Sequence, residues 1–206
     1  MATAGFSAGS LLAAADGAAD VGLAWDGGSR TVLDVALPDV VRALTALDPR
    51  WVWWSARDTA RTLVASGVRP RTCWDLGAVS RLLDGIRRED PPAIWAATMQ
   101  LSGPVPRPMG EPDLLDLAAD AGLTSGHLPR DWSGHAWRHD PDAVRGWAEV
   151  ALRCAETQRL RLRDLPDPRA EPRDPGLVLI TAHAESAAAL LAVELELDGL
   201  PLDREV

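Results

Sequence analysis

The chain has 206 residues, 47% hydrophobic and 25% charged, enough for one good-sized domain or for a domain and the beginning of a second. Thirty acidic side chains against twenty-one basic ones give a formal charge of -9. That balance repels phosphate backbones unless the cations gather on one face, which argues against a dedicated DNA-binding protein. Lysine, asparagine and tyrosine are absent, Phe6 is the only phenylalanine and tryptophan occurs nine times. This is the skew of GC-rich coding, so a missing tyrosine or lysine is not by itself a missing catalytic group.

Met1 to Ala15 is small and apolar but has no basic n-region and runs straight into Asp16 and Asp20, so no signal peptide is expected. No uninterrupted apolar run approaches the ~18 residues of a spanning helix, and the expectation is a soluble, cytoplasmic protein without membrane contact. Val21 to Trp25 and Thr31 to Val35 are strand-forming runs around Asp26-Gly27-Gly28-Ser29, which predicts a β-hairpin. Pro38 opens a helix with Val40, Val41, Leu44 and Leu47 on one face, closed by Asp48-Pro49. Trp51 to Trp54 reads as a strand buried on both faces.

Ala56 to Ser66 carries Ala60, Leu63 and Val64 at helical spacing and stops at Gly67. Val68 to Trp74 returns as an extended segment, and Asp75 caps a helix through Leu76, Val79, Leu82 and Leu83 that ends at Gly85. The series is β-α-β-α, the pattern of an α/β fold. Short helices follow at Pro92 to Leu101 and Glu111 to Ala121, separated by the proline-rich, irregular Gly103 to Pro112. Thr124 to Asp140 has no period, and Pro141 starts a long helix through Leu165 with Val144, Trp147, Ala151, Cys154 and Ala155 as its apolar stripe. Residues 166–176, with four prolines and alternating charge, read as an exposed linker and a domain boundary. Leu177 to Thr181 reads as a strand, Glu185 to Leu197 as a helix stopped by Gly199, and Leu200 to Val206 as the start of a further element.

His135 and His139 are four apart, with His127 and Cys154 as further potential ligands, but Gly134 and Asp140-Pro141 place them in a loop, and no zinc site is expected. Cys73 lies in an apolar run beside Trp74, without the base or positive setting that a reactive thiol requires; both cysteines are expected to be reduced packing residues. GxSxG, Walker and GxGxxG motifs are all absent, so acyl transfer, nucleotide hydrolysis and nicotinamide or flavin binding have no warrant.

The segment Trp51 to Gly85 resembles the second exonuclease motif and following strand of the 3′-5′ exonuclease domain in DNA polymerase I-like, family A polymerases, a ribonuclease H-like mixed sheet flanked by helices. In that resemblance Ser55 stands for the motif's Asn, Asp58 for its metal-binding Asp, Gly67 for the helix stop and Asp75 for the acid at the strand end. Ala184 to Arg204 is similar to the helix leading into the polymerase domain. The resemblance implies an exonuclease-like domain over residues 1–165, the linker at 166–176 and the start of a polymerase domain at 177–206. It is nearest to the bifunctional exonuclease/polymerases of high-GC bacteria, which act in DNA replication and repair.

Two-metal phosphodiester hydrolysis needs several carboxylates converging on two cations. No Asp-x-Glu precedes Trp51, and the positions of the family's third motif, an aromatic and an Asp four residues on, carry Trp147 and Ala151. Composition bias accounts for a lost tyrosine but not for a lost aspartate, since Asp occurs twenty-one times. The expectation is a catalytically degenerate domain. Asp58 would be a vestigial ligand or a first-turn acid favoured by the helix dipole, and Asp75 an N-cap. No metal would be retained, and Mg or Mn would be required only if the domain were active. Arg57 and Arg61, four apart, would face nucleic acid, and the partner would be DNA or the polymerase domain of the same chain. Two alternatives are an active nuclease built from Asp26, Asp34, Asp58 and Asp75, and a non-enzymatic interaction module presenting Trp132 and Trp137.

Overall fold

A computed structural model describes residues 9–106, 126–129, 132 and 136–199. Five strands, β1 (Leu11–Asp16), β2 (Val21–Trp25), β3 (Gly28–Val32), β4 (Arg50–Trp53) and β5 (Cys73–Asp75), form one mixed sheet in the order β3-β2-β1-β4-β5. β1 pairs antiparallel with β2 and parallel with β4, and β4 pairs parallel with β5. The helices are α1 (Leu37–Leu44), α2 (Ala56–Ala65), α3 (Leu76–Asp84), α4 (Pro91–Thr98), α5 (Pro141–Asp164) and α6 (Leu177–Asp198). The chain is therefore α/β, a mixed sheet flanked by helices. The expected hairpin is present with its second strand three residues earlier, because the turn closes on Asp26-Gly27 and pairs Trp25 with Gly28. The extended segment expected from Val68 contributes a strand only at Cys73–Asp75.

The two faces of the sheet follow the strand period of two. Leu11, Ala13 and Ala15 with Val52, Trp54 and Trp74 form one core under α5, while Leu12, Trp51, Trp53 and Cys73 face α1 and α2. Small residues at Ala13, Ala15 and Ala24 meet Val144, Ala148, Ala151 and Ala155 of α5, so that helix lies close to the sheet. At Gly22 the approach is backbone on backbone: a Cβ there would sit 2.2 Å from the carbonyl oxygen of Val144. β1 itself is not legible as a strand, because Leu-Leu-Ala-Ala-Ala-Asp lacks β-formers; pairing on both sides overrides propensity.

Leu177 to Thr181, read above as a strand, is instead the first turn and a half of α6. A short apolar run does not distinguish strand from helix, and here the place beside β5 is already filled by the helix. Ser186 accepts from the Asp75 amide at 3.1 Å, and its carbonyl accepts from Cys73 Sγ at 3.2 Å, so α6 covers the β5 edge of the sheet. Leu179 and Ala182 join the core under α5, and Leu190 and Val193 join the core on the opposite face. The two sequence stretches on either side of 166–176 thus meet in shared cores, and Asp167 within that stretch accepts from the amide of Leu177 at 3.2 Å. By length and composition alone α6 is apolar enough to cross a membrane, and Glu185, Glu194, Glu196 and Asp198 lie along it.

The predicted helix Glu111 to Ala121 and the segment from Leu200 lie outside the described residues. Gly22→Ala is expected to lower stability by about 3 kcal/mol, since the main chain of α5 cannot yield as a flexible side chain can. Urea unfolding of the variant checks this; an unchanged midpoint would mean that α5 does not rest on β2.

Candidate functional site

Open α/β sheets place ligands in the crevice at the carboxyl ends of their parallel strands, where neighbouring connections diverge. Here β1 leaves toward β2 on one side, and β4 lies on the other. Beyond the ends of β1 and β4 opens a cavity of about 490 Å³ whose lining includes Asp16, Trp54, Arg57, Asp58, Arg61 and Arg138. Trp132, Trp137 and Trp147 complete the wall. Asp58 comes from the first turn of α2, exposed, with Arg57 beside it. Trp147 comes from α5, one turn before Ala151, which is buried against the sheet.

Four indoles, Trp54, Trp132, Trp137 and Trp147, line one wall of the cleft. Trp147 stacks on Trp54 with centroids 4.9 Å apart and on Trp132 at 4.8 Å, with Trp137 tilted at 5.3 Å. Such contacts add to the area each ring buries, and they fix the wall of the cleft. Trp147 and Trp54 are buried, whereas Trp132 and Trp137 keep part of their surface in the opening. The guanidinium of Arg138 lies 5.6 Å from the Trp137 ring centroid, in cation–π range.

The acid that sequence reasoning missed is Asp16, the last residue of β1. Burial raises its carboxyl above the usual value, and the positive charge of Arg138 partly opposes the shift. Its signal was weak because β1 was not recognised as a strand. Arg57 and Arg61 reach the same carboxylate, Glu196 of α6, at 3.6 and 3.2 Å. All three side chains are well exposed, so these pairs orient the arginines and add little stability.

The remaining sequence candidates are scattered. Asp75 is not at the opening but buried, where its carboxylate accepts from the amide of Ala56 at 2.6 Å and of Ala78 at 2.8 Å. One side chain thereby caps α3 and satisfies the first amide of α2. Asp26 sits in the β2–β3 turn, and Asp34 follows β3 with its amide bonded to Asp20. Neither lines the cleft. His127 is buried with Nε2 3.2 Å from the carbonyl of Ser102, His139 ends a short 3-10 turn, and His135 lies outside the described residues. Both thiols are buried and pushed up to about 12, mainly by burial; Cys154 Sγ donates to Thr98 Oγ1 at 3.3 Å. They are inert packing groups.

The resemblance stated above implies two divalent cations held by converging carboxylates. The residues present do not fit that group: Trp147 and Ala151 supply no metal ligand, and among the described residues no three His, Cys, Asp or Glu side chains gather as a metal would require. No family model, curated protein or solved structure matches the chain.

Burial pushes the Asp75 carboxyl up to about 6, against the lowering effect of the two amides it accepts from. The folded chain therefore holds this proton more tightly than the unfolded chain. The stability from this shift is complete below the ordinary carboxylate range and is lost as pH rises through about 6. Asp75→Ala is expected to cost about 2–4 kcal/mol by leaving two helix-end amides unpaired. Asp75→Asn is expected to flatten the stability profile between about pH 4 and pH 6, a range readable by thermal unfolding across a pH series. A wild-type profile that climbs steadily over that range would contradict the assignment.

Proposed function

We propose that the chain is a ribonuclease H-like, 3′-5′ exonuclease-like domain of the family A polymerase type that has lost its metal-dependent chemistry and serves a structural or nucleic-acid-positioning role. The strand order, with β2 alone opposed to its neighbours, supports the fold reading. The observation that carries the functional reading is the make-up of the cleft. Indoles and alanines occupy the places where carboxylates would have to converge, and Asp16 and Asp58 are its acids. Two carboxylates without a third cannot assemble and neutralise a pair of divalent cations.

What remains is suited to holding a strand rather than cutting one. The partly exposed faces of Trp132 and Trp137 can stack on bases whatever their identity, and Arg57, Arg61 and Arg138 supply positive charge at the rim. The pairing of Arg57 and Arg61 with Glu196 favours a second role, in which this face braces an adjoining polymerase domain. In either role the setting is DNA replication or repair.

With a labelled single-stranded oligonucleotide and Mg²⁺ or Mn²⁺, no trimming from the 3′ end is expected. Robust trimming abolished by Asp58→Ala would overturn the reading. The same oligonucleotide at low salt is expected to quench the indole fluorescence, with the effect weakened in Trp137→Ala and lost on raising the salt. Absence of quenching at low salt would leave bracing as the role of the cleft face.

A further inference from the structure

α6 is apolar on its outer side as well as its inner one. Leu179, Ala182, Leu190 and Val193 are buried in the two cores. From Leu177 to Leu195, every exposed residue of the helix is leucine, isoleucine or alanine. Leu177, Ile180, Leu191 and Leu195 are 37%, 42%, 52% and 40% exposed, and the exposed Ala184 and Ala188 lie between them. Positions three or four apart share one helix face, so these residues form a continuous strip about 27 Å long at ~1.5 Å per residue. The outward face of α5 shows Arg153, Glu156, Arg163 and Asp164 instead. A helix that is apolar all round is one that is covered all round, and an exposed apolar strip of this length marks a contact surface.

A bilayer surface suits the strip poorly. Helices that lie in a membrane surface carry Lys or Arg along their borders, whereas the charged groups of α6 are Glu185, Glu194, Glu196 and Asp198, in a chain of net charge -9. The strip is instead complementary to itself. Read from either end it runs large, large, small, small, large, large: Leu177, Ile180, Ala184, Ala188, Leu191, Leu195. Laid antiparallel on a second copy, Leu177 meets Leu195, Ile180 meets Leu191, and Ala184 meets Ala188, where short side chains let the two helices approach. The same patch then serves both partners, and the contact closes on two copies. Charge favours that direction too. Glu194, Glu196 and Asp198 crowd the last turns of α6, where acids oppose the helix dipole. The antiparallel pair sets this acidic end against the positive N-terminal end of the other α6, just after the exposed Arg173.

We propose that two copies of the chain form a two-fold dimer through the outward faces of α6, packed antiparallel and centred between Ala184 and Ala188. A single helix face makes a smaller interface than the ~1,200–2,000 Å² of stable complexes, so the association is weak and depends on concentration. The inference is independent of the cleft and of its role.

Sedimentation equilibrium of the full chain, from micromolar to millimolar concentration, tests it. A reversible monomer–dimer equilibrium is expected, weakened about tenfold or more in Ile180→Glu and in Leu191→Glu, each of which drives a charge into the contact. Leu33→Glu, at a position 58% exposed and outside α6, is expected to dimerise as the wild type does. All three positions are exposed in the single chain, so far-UV circular dichroism is expected to be unchanged. A monomer throughout, or a dimer indifferent to both strip variants, would overturn the proposal. Direction is read separately. With an added oxidant, Leu177→Cys mixed with Leu195→Cys is expected to form a disulfide-linked pair and neither variant alone to do so, since Cys73 and Cys154 are buried. Either variant linking to itself would contradict the antiparallel arrangement. Uptake of the chain by phosphatidylcholine vesicles at the expense of the dimer would make a bilayer the occupant of the strip and count equally against the pairing.

Discussion

The seating of α5 on β2 is the constraint from which the cleft follows. Gly22 lets the two backbones touch, and the alanines of β1, β2 and α5 extend that close approach along the helix. With the helix held there, Trp147 has one place to go, against Trp54 at the end of β4. Further along, Gln158 arrives buried beneath α3. It accepts from Trp74 Nε1 at 2.8 Å and donates to the Leu76 carbonyl at 3.1 Å and Ser80 Oγ at 2.9 Å. A buried amide with its donors and acceptor all engaged specifies one register for the helix.

Asp75 does the corresponding work at the end of β5. β5 is only three residues long, and its carboxylate ties the first turns of α2 and α3 to its end. Ser186 secures the same residue from α6 through its amide. Three helices thus depend on one short strand, which explains why an acid sits where burial opposes its ionisation: the amides it joins would otherwise be unsatisfied.

The distribution of charge gives the two ends of the sheet different characters. At the carboxyl ends, arginines share a carboxylate at the surface and the walls are aromatic. At the amino ends, the half-buried Arg50 shares a cavity with Arg71, His183 and Glu194. A net charge of -9 conceals this local difference, because acids such as Asp39 and Asp142 are held in ion pairs on exposed helix faces elsewhere.

Much of the fold was legible from local pattern. The hairpin turn, the buried Trp51 to Trp54 strand, the Asp75 cap, the Gly67 and Gly85 stops and the Pro141 helix start all depend on residues within one or two turns of each other. Asp58 and Trp147, both singled out from the sequence, line the cleft. By contrast, β1 and the helical start of α6 could not be read locally. An alanine run becomes a strand only because strands pair on both sides of it, and a β-branched run becomes a helix where it covers an edge. The convergence of Asp16 with Asp58, the capture of Arg57 and Arg61 by Glu196, and the meeting of Arg50 with His183 join residues far apart in sequence. The sequence by itself determined which segments could fold and where they stop, because capping, turn chemistry and side-chain period act over a few residues. Only the tertiary structure decided which side chains share a cavity and which charges go unpaired, because those are fixed by how closely helices approach the sheet.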